Sequence, residues 1–337
     1  MEDIRGICKP PGDGKRTALP LRIPQMEHKM SNKTSVLEFL LLQFSDLREF
    51  QILHFVAFLL LYLGIVSGNL LIIAVIAFDR HLHSPMYFFL MNLAVQDIGH
   101  VSVFIPKSMA NSLMNTRHIS YSGCVAQVLF FIFFLSSDFA ILTVMAYDRY
   151  VAICNPLEYE MIMNRGACRQ IIAIVWMTVF LYSVLHTCGT FASPFCSNIV
   201  NQFFCEVPQL LKLTCSDLYL VEMGILVLSA VICSGCLIFI AVTYGQIFSA
   251  VRKISSATGR RKALSTCLPH LIVVSTFLCT SSFAYLTSPF NKTSHLDIAV
   301  TLIYSVFPPM LNPVIYSLRN KEIKNALQRL LGLTKKI

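Results

Sequence analysis

The chain of 337 residues is 55% hydrophobic and only 13% charged, and its mean hydropathy is +0.64. Because a soluble domain carries about a quarter charged residues, this composition excludes an ordinary soluble protein and indicates an integral membrane protein. The net charge of +9 does not indicate a nucleic-acid-binding protein, because the lysines and arginines are spread along the chain beside apolar segments. We therefore expect no nucleic-acid partner and no cofactor.

Seven apolar runs predict seven transmembrane helices. A helical span needs about 20 apolar residues, and runs of this kind lie at about 53–78, 86–110, 122–147, 169–190, 218–249, 263–286 and 297–317. The runs are continuous and do not alternate with polar residues, which favours helices over a membrane barrel. The predicted fold class is an all-α membrane protein, a seven-transmembrane helix bundle.

The distribution of basic residues predicts the orientation. Outside the N-terminal tail, most lysines and arginines follow the first, third and fifth runs or lie in the C-terminal tail. Since cytoplasmic segments carry the excess of these residues, we expect a multi-pass plasma membrane protein with its C-terminus in the cytosol. The predicted organisation is an extracellular tail over 30–52, a transmembrane domain over 53–318 and a cytoplasmic tail over 319–337.

The first 29 residues are polar, basic and rich in proline and glycine, and they lack the apolar core of a secretory signal peptide. We expect them to be a disordered extension, with translation starting at either Met1 or Met30. Asn32 begins a glycosylation sequon in the predicted extracellular tail. A second sequon begins at Asn291 and is less favoured, because it lies close to the membrane.

The stretch Met145–Cys154, MAYDRYVAIC, follows the third apolar run directly. Asp and Arg are costly in a bilayer, so the pair Asp148-Arg149 indicates either a functional site or an interfacial salt bridge that ends the helix. The string resembles the end of the third transmembrane helix in the odorant-receptor branch of the rhodopsin-like G-protein-coupled receptors. The DRY core is shared by that superfamily, while the flanking MAY and VAIC are more specific to odorant receptors.

Four further stretches carry the same resemblance, which covers about residues 31–331. They are MSNKTSVLEFLLLQFSD from Met30, LHSPMYFFL from Leu82, KALSTCLPH from Lys262 and PPMLNPVIYSLRN from Pro308. The third departs from the family pattern at Leu264 and Pro269. The resemblance implies a small-molecule odorant as ligand, a stimulatory G protein of olfactory sensory neurons as partner, and a rise in cyclic AMP.

The resemblance also assigns an activation switch at the cytoplasmic side, at Asp148, Arg149, Tyr150, Tyr244, Asn312, Pro313 and Tyr316. The basic segment 252–262 fits either an interfacial anchor or the surface that meets the G protein. Pro269 should kink the sixth helix. Residues 320–331 predict a short amphipathic helix with Ile323, Leu327, Leu330 and Leu331 on one side and Lys321, Lys324 and Arg329 on the other.

Several polar residues fall inside the predicted helices. Asp138 lies eleven residues before Arg149, which places both on one side of a helix, roughly 16 Å apart. We expect Asp97, Asp138, Asn69 and Asn312 to meet inside the bundle. The Asp97 position resembles the superfamily's sodium-binding carboxylate; the alternative is a neutral hydrogen-bonded cluster.

Four cysteines, at 124, 196, 205 and 215, fall on the predicted outer side, where an oxidising compartment would pair them. Four cysteines allow three pairings; the resemblance implies Cys124 with Cys205 and Cys196 with Cys215. The Cys233-x-x-Cys236 pair lies within an apolar run and favours packing over metal binding. Gln202 replaces a histidine common in the family, which argues against a loop metal site.

The resemblance lets the ligand-facing positions be counted along three helices. They are Phe131, Ile132, Leu135, Ser136 and Phe139; Ile225, Leu228, Ser229 and Ile232; and Leu278, Ser281, Ser282 and Tyr285. This lining is apolar with a few hydroxyls, which favours small neutral molecules over amines. At helical spacing the same residues also suit an ordinary core, and Leu278 departs from the tyrosine common in the family.

Other classes of function fit the sequence less well. A transporter would show internal repeats or a charged path through the membrane, and neither is present. An intramembrane enzyme would have only Asp97 and Asp138 as candidate catalytic groups, so we expect no catalytic residues. A receptor for another small ligand in non-olfactory tissue is the nearest alternative.

Overall fold

The structure is a computed structural model, and it describes residues 37–43, 45, 47–215, 219–287 and 295–330. Within these ranges it leaves out the side chains of 219–223, 281–287, 295–297, 318, 319 and 321. The predicted N-terminal extension and both sequons, at Asn32 and Asn291, lie outside the described residues.

Seven helices in this part of the chain are long and apolar enough to cross a membrane. They are α1 (Arg48–Phe78), α2 (Pro85–Met114), α3 (Tyr121–Cys154), α5 (Arg165–Ala192), α7 (Tyr219–Lys253), α8 (Ala257–Thr287) and α9 (His295–Arg319). The predicted seven-helix fold is confirmed. Most of the helices run past the predicted apolar segments, because helical backbone continues into the polar turns at each end.

Three shorter helices complete the set in the described ranges: α4 (Tyr159–Ile162), α6 (Val207–Leu211) and α10 (Lys321–Leu330). The amphipathic C-terminal helix is therefore present. Ile323 and Ala326 form its buried side, whereas Leu330 is 46% exposed. Ala326 lies one turn after Ile323 on the same side, and the exposed Leu330 is free to face lipid, as an amphipathic helix predicts.

Local signals account for several helix ends. Ser120 and Asn164 cap α3 and α5, since their side-chain oxygens accept from the amides of Gly123 and Ala167. Pro85 occupies the first turn of α2, where its missing N–H leaves no bond unmade. Pro269 lies inside α8, and the kink expected there stays a prediction.

Helix α3 is the centre of the bundle and packs against α2, α5, α7 and α8. At one end, α3 contributes Leu142 and Met145 to a large apolar cluster. Toward the other end Phe131 belongs to an aromatic cluster with Phe104 and Phe204. Leucines such as Leu60 on α1 stay 65% exposed, as expected for a surface that faces lipid.

A short antiparallel sheet lies at the α2–α3 connection and was not predicted. Strand β1 (Glu38–Leu40) pairs with β2 (His118–Ser120), with Phe39 opposite Ile119. Leu40 also bridges Ile199 in the loop between α5 and α7. The described end of the N-terminal tail is therefore tied to two loops at the same end of the bundle.

Candidate functional site

At the end of α3, Asp148 and Arg149 form an ion pair. The Nε of Arg149 donates to Oδ2 of Asp148 at 3.0 Å, and the Nη2 of Arg149 contacts the same oxygen. Asp148 is fully buried, and its other oxygen, Oδ1, accepts from the hydroxyl of Tyr159 at 2.8 Å. Because an unpaired buried charge is very costly, these two contacts stabilise the buried carboxylate.

Tyr159 belongs to the short helix α4 in the loop after α3, and the sequence reasoning did not include it. Burial, followed by the charge of Asp148, raises the pKa of the Tyr159 hydroxyl above its usual range. The hydroxyl therefore stays protonated and remains a donor. The third residue of the motif, Tyr150, is half-buried and lies against Tyr147, with ring centroids 6.3 Å apart.

Replacing Tyr159 with phenylalanine should lower the stability of the purified receptor by about 1.5–3 kcal/mol, because a buried carboxylate loses a hydrogen bond. The measurement is the apparent melting temperature in detergent. Tyr147→Phe is the matched control: in the described part of the chain its hydroxyl has no hydrogen-bond partner. Equal melting temperatures for the two variants would contradict the role given to Tyr159.

A second contact joins three helices one layer deeper. The hydroxyl of Tyr244 on α7 lies 2.7 Å from Nδ1 of His270 on α8, and Nε2 of His270 lies 2.9 Å from the carbonyl oxygen of Leu142 on α3. Since a carbonyl only accepts, Nε2 carries the proton and Nδ1 accepts from Tyr244. Tyr316 of α9 is buried in the same apolar cluster as Tyr244, and its hydroxyl has no described partner.

The predicted polar cluster forms only in part. The amide of Asn312 donates to both oxygens of Asp97, at 3.1 and 3.0 Å, and both residues are buried. Asp138 lies instead beside His100, with 3.6 Å between Oδ2 and Nδ1, which is too long for a hydrogen bond. His100 was missed, although it follows Asp97 by three residues and so shares its helix face.

In the described structure, Asn69 makes no hydrogen bond to Asp97 or Asp138. Its amide donates to the carbonyls of Ile65 and Pro309, each at 3.1 Å. Pro313 lacks the N–H that would bind the Pro309 carbonyl one turn back, so Asn69 supplies the missing donor. A Cβ on Gly68 would lie 3.2 Å from Pro313 Cγ, so this glycine allows the close approach of α1 and α9.

The centre of the bundle also contains oxygens that suit a cation. In the described structure, Gln96 Oε1, Ser137 Oγ and Asp138 Oδ1 are buried and make no hydrogen bond. Hard cations prefer oxygen ligands, so each of these atoms suits sodium better than a transition metal. Among the described residues, no group of three His, Cys, Asp or Glu side chains can hold a metal ion.

The predicted ligand positions on α3 lie at three places. Phe131 is buried, with ring centroids 5.0 Å from both His100 and Phe204. Phe139 stacks on Phe277 of α8 at 5.5 Å. The remaining positions are partly buried. On α3, Leu135 packs on the aromatic cluster and Ser136 has intermediate exposure, while Ile132 packs on a third cluster, which includes Cys205 of the loop between α5 and α7. On α8, Leu278 packs on the large apolar cluster.

Two of the predicted positions on α7 contact α5. The Oγ of Ser229 accepts from the hydroxyl of Tyr182 and lies 2.8 Å from Nε2 of His186, both on α5. Ile225 also faces α5, where a Cβ on Gly189 would lie 2.5 Å from its Cδ1. Ile225 and Ser229 therefore contact α5.

The other two positions on α7 are open: Leu228 is 44% exposed and Ile232 is 49% exposed. The side chains of Ser281, Ser282 and Tyr285 lie outside the described structure. The described ring contacts thus join Phe131 to the loop between α5 and α7, and separately join Phe139 to α8.

Two disulfides tie down the loop between α5 and α7. The structure bonds Cys124 to Cys205 and Cys196 to Cys215, each with 5.5 Å between the Cα atoms. These are the pairs that the resemblance implies. The amide of Cys205 also donates to Oε1 of Gln127 at 2.7 Å, so the loop is held to α3 by two kinds of bond.

The loop residues beside Cys205 reach into the bundle. Phe204 is fully buried against Phe104 and Phe131. Gln202 donates to Oγ1 of Thr301 at 2.9 Å, and Tyr304 bonds to Glu206, so the loop also contacts α9. At this end, aromatic side chains pack together beneath the polar contacts of the loop.

The seven membrane-spanning helices form a bundle with the rhodopsin fold. The fold is similar to that in a crystal structure of squid rhodopsin, with a TM-score of 0.65. The alignment covers 86% of this chain and 87% of that chain, and the sequences are 16% identical. At this identity the likeness shows the fold.

The family follows from the sequence comparisons. The olfactory receptor family model matches residues 58–334. Human olfactory receptor 14I1 is 50% identical over 89% of this chain and 97% of its own length, and human olfactory receptor 14A16 is 47% identical over 91% and 100%. The chain belongs to the olfactory receptor family. It is a multi-pass plasma membrane receptor and not an enzyme.

Proposed function

We propose that this receptor acts in olfactory sensory neurons and binds small, largely apolar, neutral odorants within its helix bundle. Binding activates a stimulatory G protein and raises cyclic AMP. The observation that carries the proposal is the buried pair Asp148–Arg149, held by Tyr159 at one end of α3 in a chain of the olfactory receptor family. Ionisable residues inside a membrane protein are costly and commonly mark a functional site.

The proposed topology places the N-terminus outside and the C-terminus in the cytosol. One feature at each end of the helix bundle supports this topology. The disulfides lie at one end of the bundle, and disulfides persist in oxidising compartments. The basic residues Arg252, Lys253, Arg260, Arg261 and Lys262 lie exposed at the other end, where α7 ends and α8 begins.

The ligand region that the structure supports best lies among Phe131, Leu135, Ser136 and Phe139 of α3 and below Phe204 of the outer loop. Its apolar rings offer contact area and Ser136 offers one hydroxyl to orient a polar group. No carboxylate of α3 lies above Asp138, so a cationic amine finds no partner there. The counted positions on α7 contribute less than the sequence suggested, since Ser229 is already bonded to α5.

The switch that we propose has two packings at the cytoplasmic side. In this structure Arg149 is engaged by Asp148, and His270 ties α8 to α3 and α7. An odorant activates the receptor only if it binds the second packing better than this one. In that packing α8 moves outward and Arg149 faces the G protein. Asn312, Pro313 and Tyr316 of α9 accommodate the change.

The test is odorant-dependent cyclic AMP in transfected cells. A panel of small neutral odorants should contain at least one agonist for the wild type, and Arg149→Ala should abolish the response while the receptor still reaches the surface. Arg165→Ala is the control, because Arg165 is an exposed arginine at the start of α5 on the same side of the membrane. A full response from Arg149→Ala would overturn the proposed switch.

A further inference from the structure

A cavity of about 490 Å³ lies where α1 ends, beside the C-terminal helix α10. Phe78 is the last residue of α1, and a 3-10 turn, Arg80–Leu82, follows. The walls include Phe78, Asp79, Arg80, His81, Arg329 and Leu330. Because a membrane-spanning helix ends here, the cavity lies at the boundary between the lipid and the water.

The cavity carries more positive than negative charge. Arg329 forms an ion pair with Oδ2 of Asp79, and Oδ1 of Asp79 accepts from the His81 amide at 3.0 Å. Hydrogen bonding from Arg329 lowers the pKa of Asp79 to about 2, so this carboxylate is charged at neutral pH. Arg80 is exposed and has no carboxylate partner among the described residues. The cavity thus contains two guanidinium groups and one carboxylate, which pairs with only one of them, Arg329.

Both arginines keep donors available. A guanidinium has five N–H donors, and the described contacts of Arg329 use only its Nη2, on Asp79. Planar guanidinium groups match phosphate oxygens particularly well. The ligand class that complements this cavity is therefore a phosphate group.

The apolar walls distinguish a lipid from a free phosphate. Phe78 is 77% exposed and Leu330 is 46% exposed, on either side of the arginines. Inorganic phosphate would leave both side chains without a partner, whereas acyl chains would cover them. The cavity also opens at the depth where phospholipid headgroups lie.

We propose that this cavity binds one anionic phospholipid of the cytoplasmic leaflet, with its phosphate between Arg80 and Arg329 and its chains against Phe78 and Leu330. The inference rests on the proposed topology and is independent of odorant binding and G-protein coupling. Because Arg329 belongs to α10, the lipid holds this helix at the end of α1. Asp79 competes with the phosphate for Arg329.

The test is native mass spectrometry of the purified full-length receptor with added phosphatidylserine or phosphatidylcholine. The wild type should retain phosphatidylserine in preference to phosphatidylcholine. Arg80→Gln should weaken this retention about fivefold, the effect of one basic residue at a lipid surface, and adding Arg329→Gln should weaken it further by a similar factor. Arg165→Gln is the control, since this arginine lies outside the cavity on the same side.

Asp79→Asn separates lipid binding from a structural role of the ion pair. The variant removes the competing charge and keeps an oxygen for the His81 amide, so retention of phosphatidylserine should increase. A loss of retention in Asp79→Asn would overturn the proposal, as would unchanged retention in Arg80→Gln, which breaks no described ion pair and so does not threaten the fold. Displacement of the lipid by excess inorganic phosphate would also overturn it, because the acyl chains would then contribute nothing.

Discussion

Replacing Cys205 with serine is expected to lower the free energy of unfolding by about 2–5 kcal/mol and to remove most of the receptor from the cell surface. The bond from Cys124 to Cys205 closes a loop with a sequence separation of 81 residues. Breaking it releases the unfolded chain from a large constraint. It also frees Phe204, which is fully buried in the aromatic cluster.

The measurement is surface labelling of intact cells together with the apparent melting temperature of purified receptor. Cys188→Ser is the matched control, since Cys188 is a free and exposed cysteine of α5. The double variant Cys124→Ser/Cys205→Ser should be no less stable than either single variant, because all three lack the same bond. Wild-type surface levels for Cys205→Ser would show that the loop is held by Gln127 and the aromatic contacts alone.

The second disulfide should matter less. Cys196 and Cys215 have a sequence separation of 19 residues, and the loop-closure entropy grows with the length of the closed loop. Cys215→Ser should therefore be less destabilising than Cys205→Ser in the same assays. The opposite order would mean that strain or local packing, and not loop length, governs the stability of this end.

The helices could be predicted because each contains a continuous apolar run, and a bilayer leaves few other solutions for such a run. Their ends could not be predicted as well. Helix α3 continues to Cys154 through Asp148 and Arg149, because these two charges satisfy one another and do not stop the helix. Strand β1 was missed because three residues of an apparently extended tail carry no periodic signal of their own.

The site could be predicted where a motif marks adjacent residues and less well where partners come from distant helices. Asp148 and Arg149 are neighbours in sequence, whereas Tyr159 reaches them from the next loop. Asn69 was assigned to the carboxylates, but the proline chemistry of α9 offers it a carbonyl instead. The missed contact of Tyr159 and the partner assigned to Asn69 both concern the choice among available partners, which depends on the rotation of each helix.

The orientation of α7 shows the same limit. This helix is apolar on almost every side from Leu226 to Val242, so the sequence has no polar face from which to infer an inward one. The predicted ligand positions on α7 were assumed to form the face that points into the bundle. In the structure, Ser229 of that face contacts Tyr182 and His186 of α5. A pair of polar residues on a neighbouring helix was the signal that could have indicated this.

Asn312→Leu is expected to show whether Asp97 is charged. In the described structure, Asn312 is the donor to both oxygens of Asp97, and leucine would leave that buried carboxylate without one. A charged Asp97 would then cost about 3–5 kcal/mol of stability, whereas a neutral one would cost about 1–3 kcal/mol. The measurement is the apparent melting temperature, and Asp97→Asn combined with Asn312→Leu should recover much of the larger loss.

Sodium provides the independent arm of this experiment. If sodium occupies the oxygens around Asp97, raising sodium at constant ionic strength should stabilise the wild type and Asn312→Leu more than potassium does, because a ligand that binds the folded state stabilises it. Asp97→Asn should show no such preference. A wild type that sodium and potassium stabilise equally would exclude the sodium site. A small loss of stability in Asn312→Leu would then identify Asp97 as a neutral hydrogen-bonding group beside Asp138 and His100.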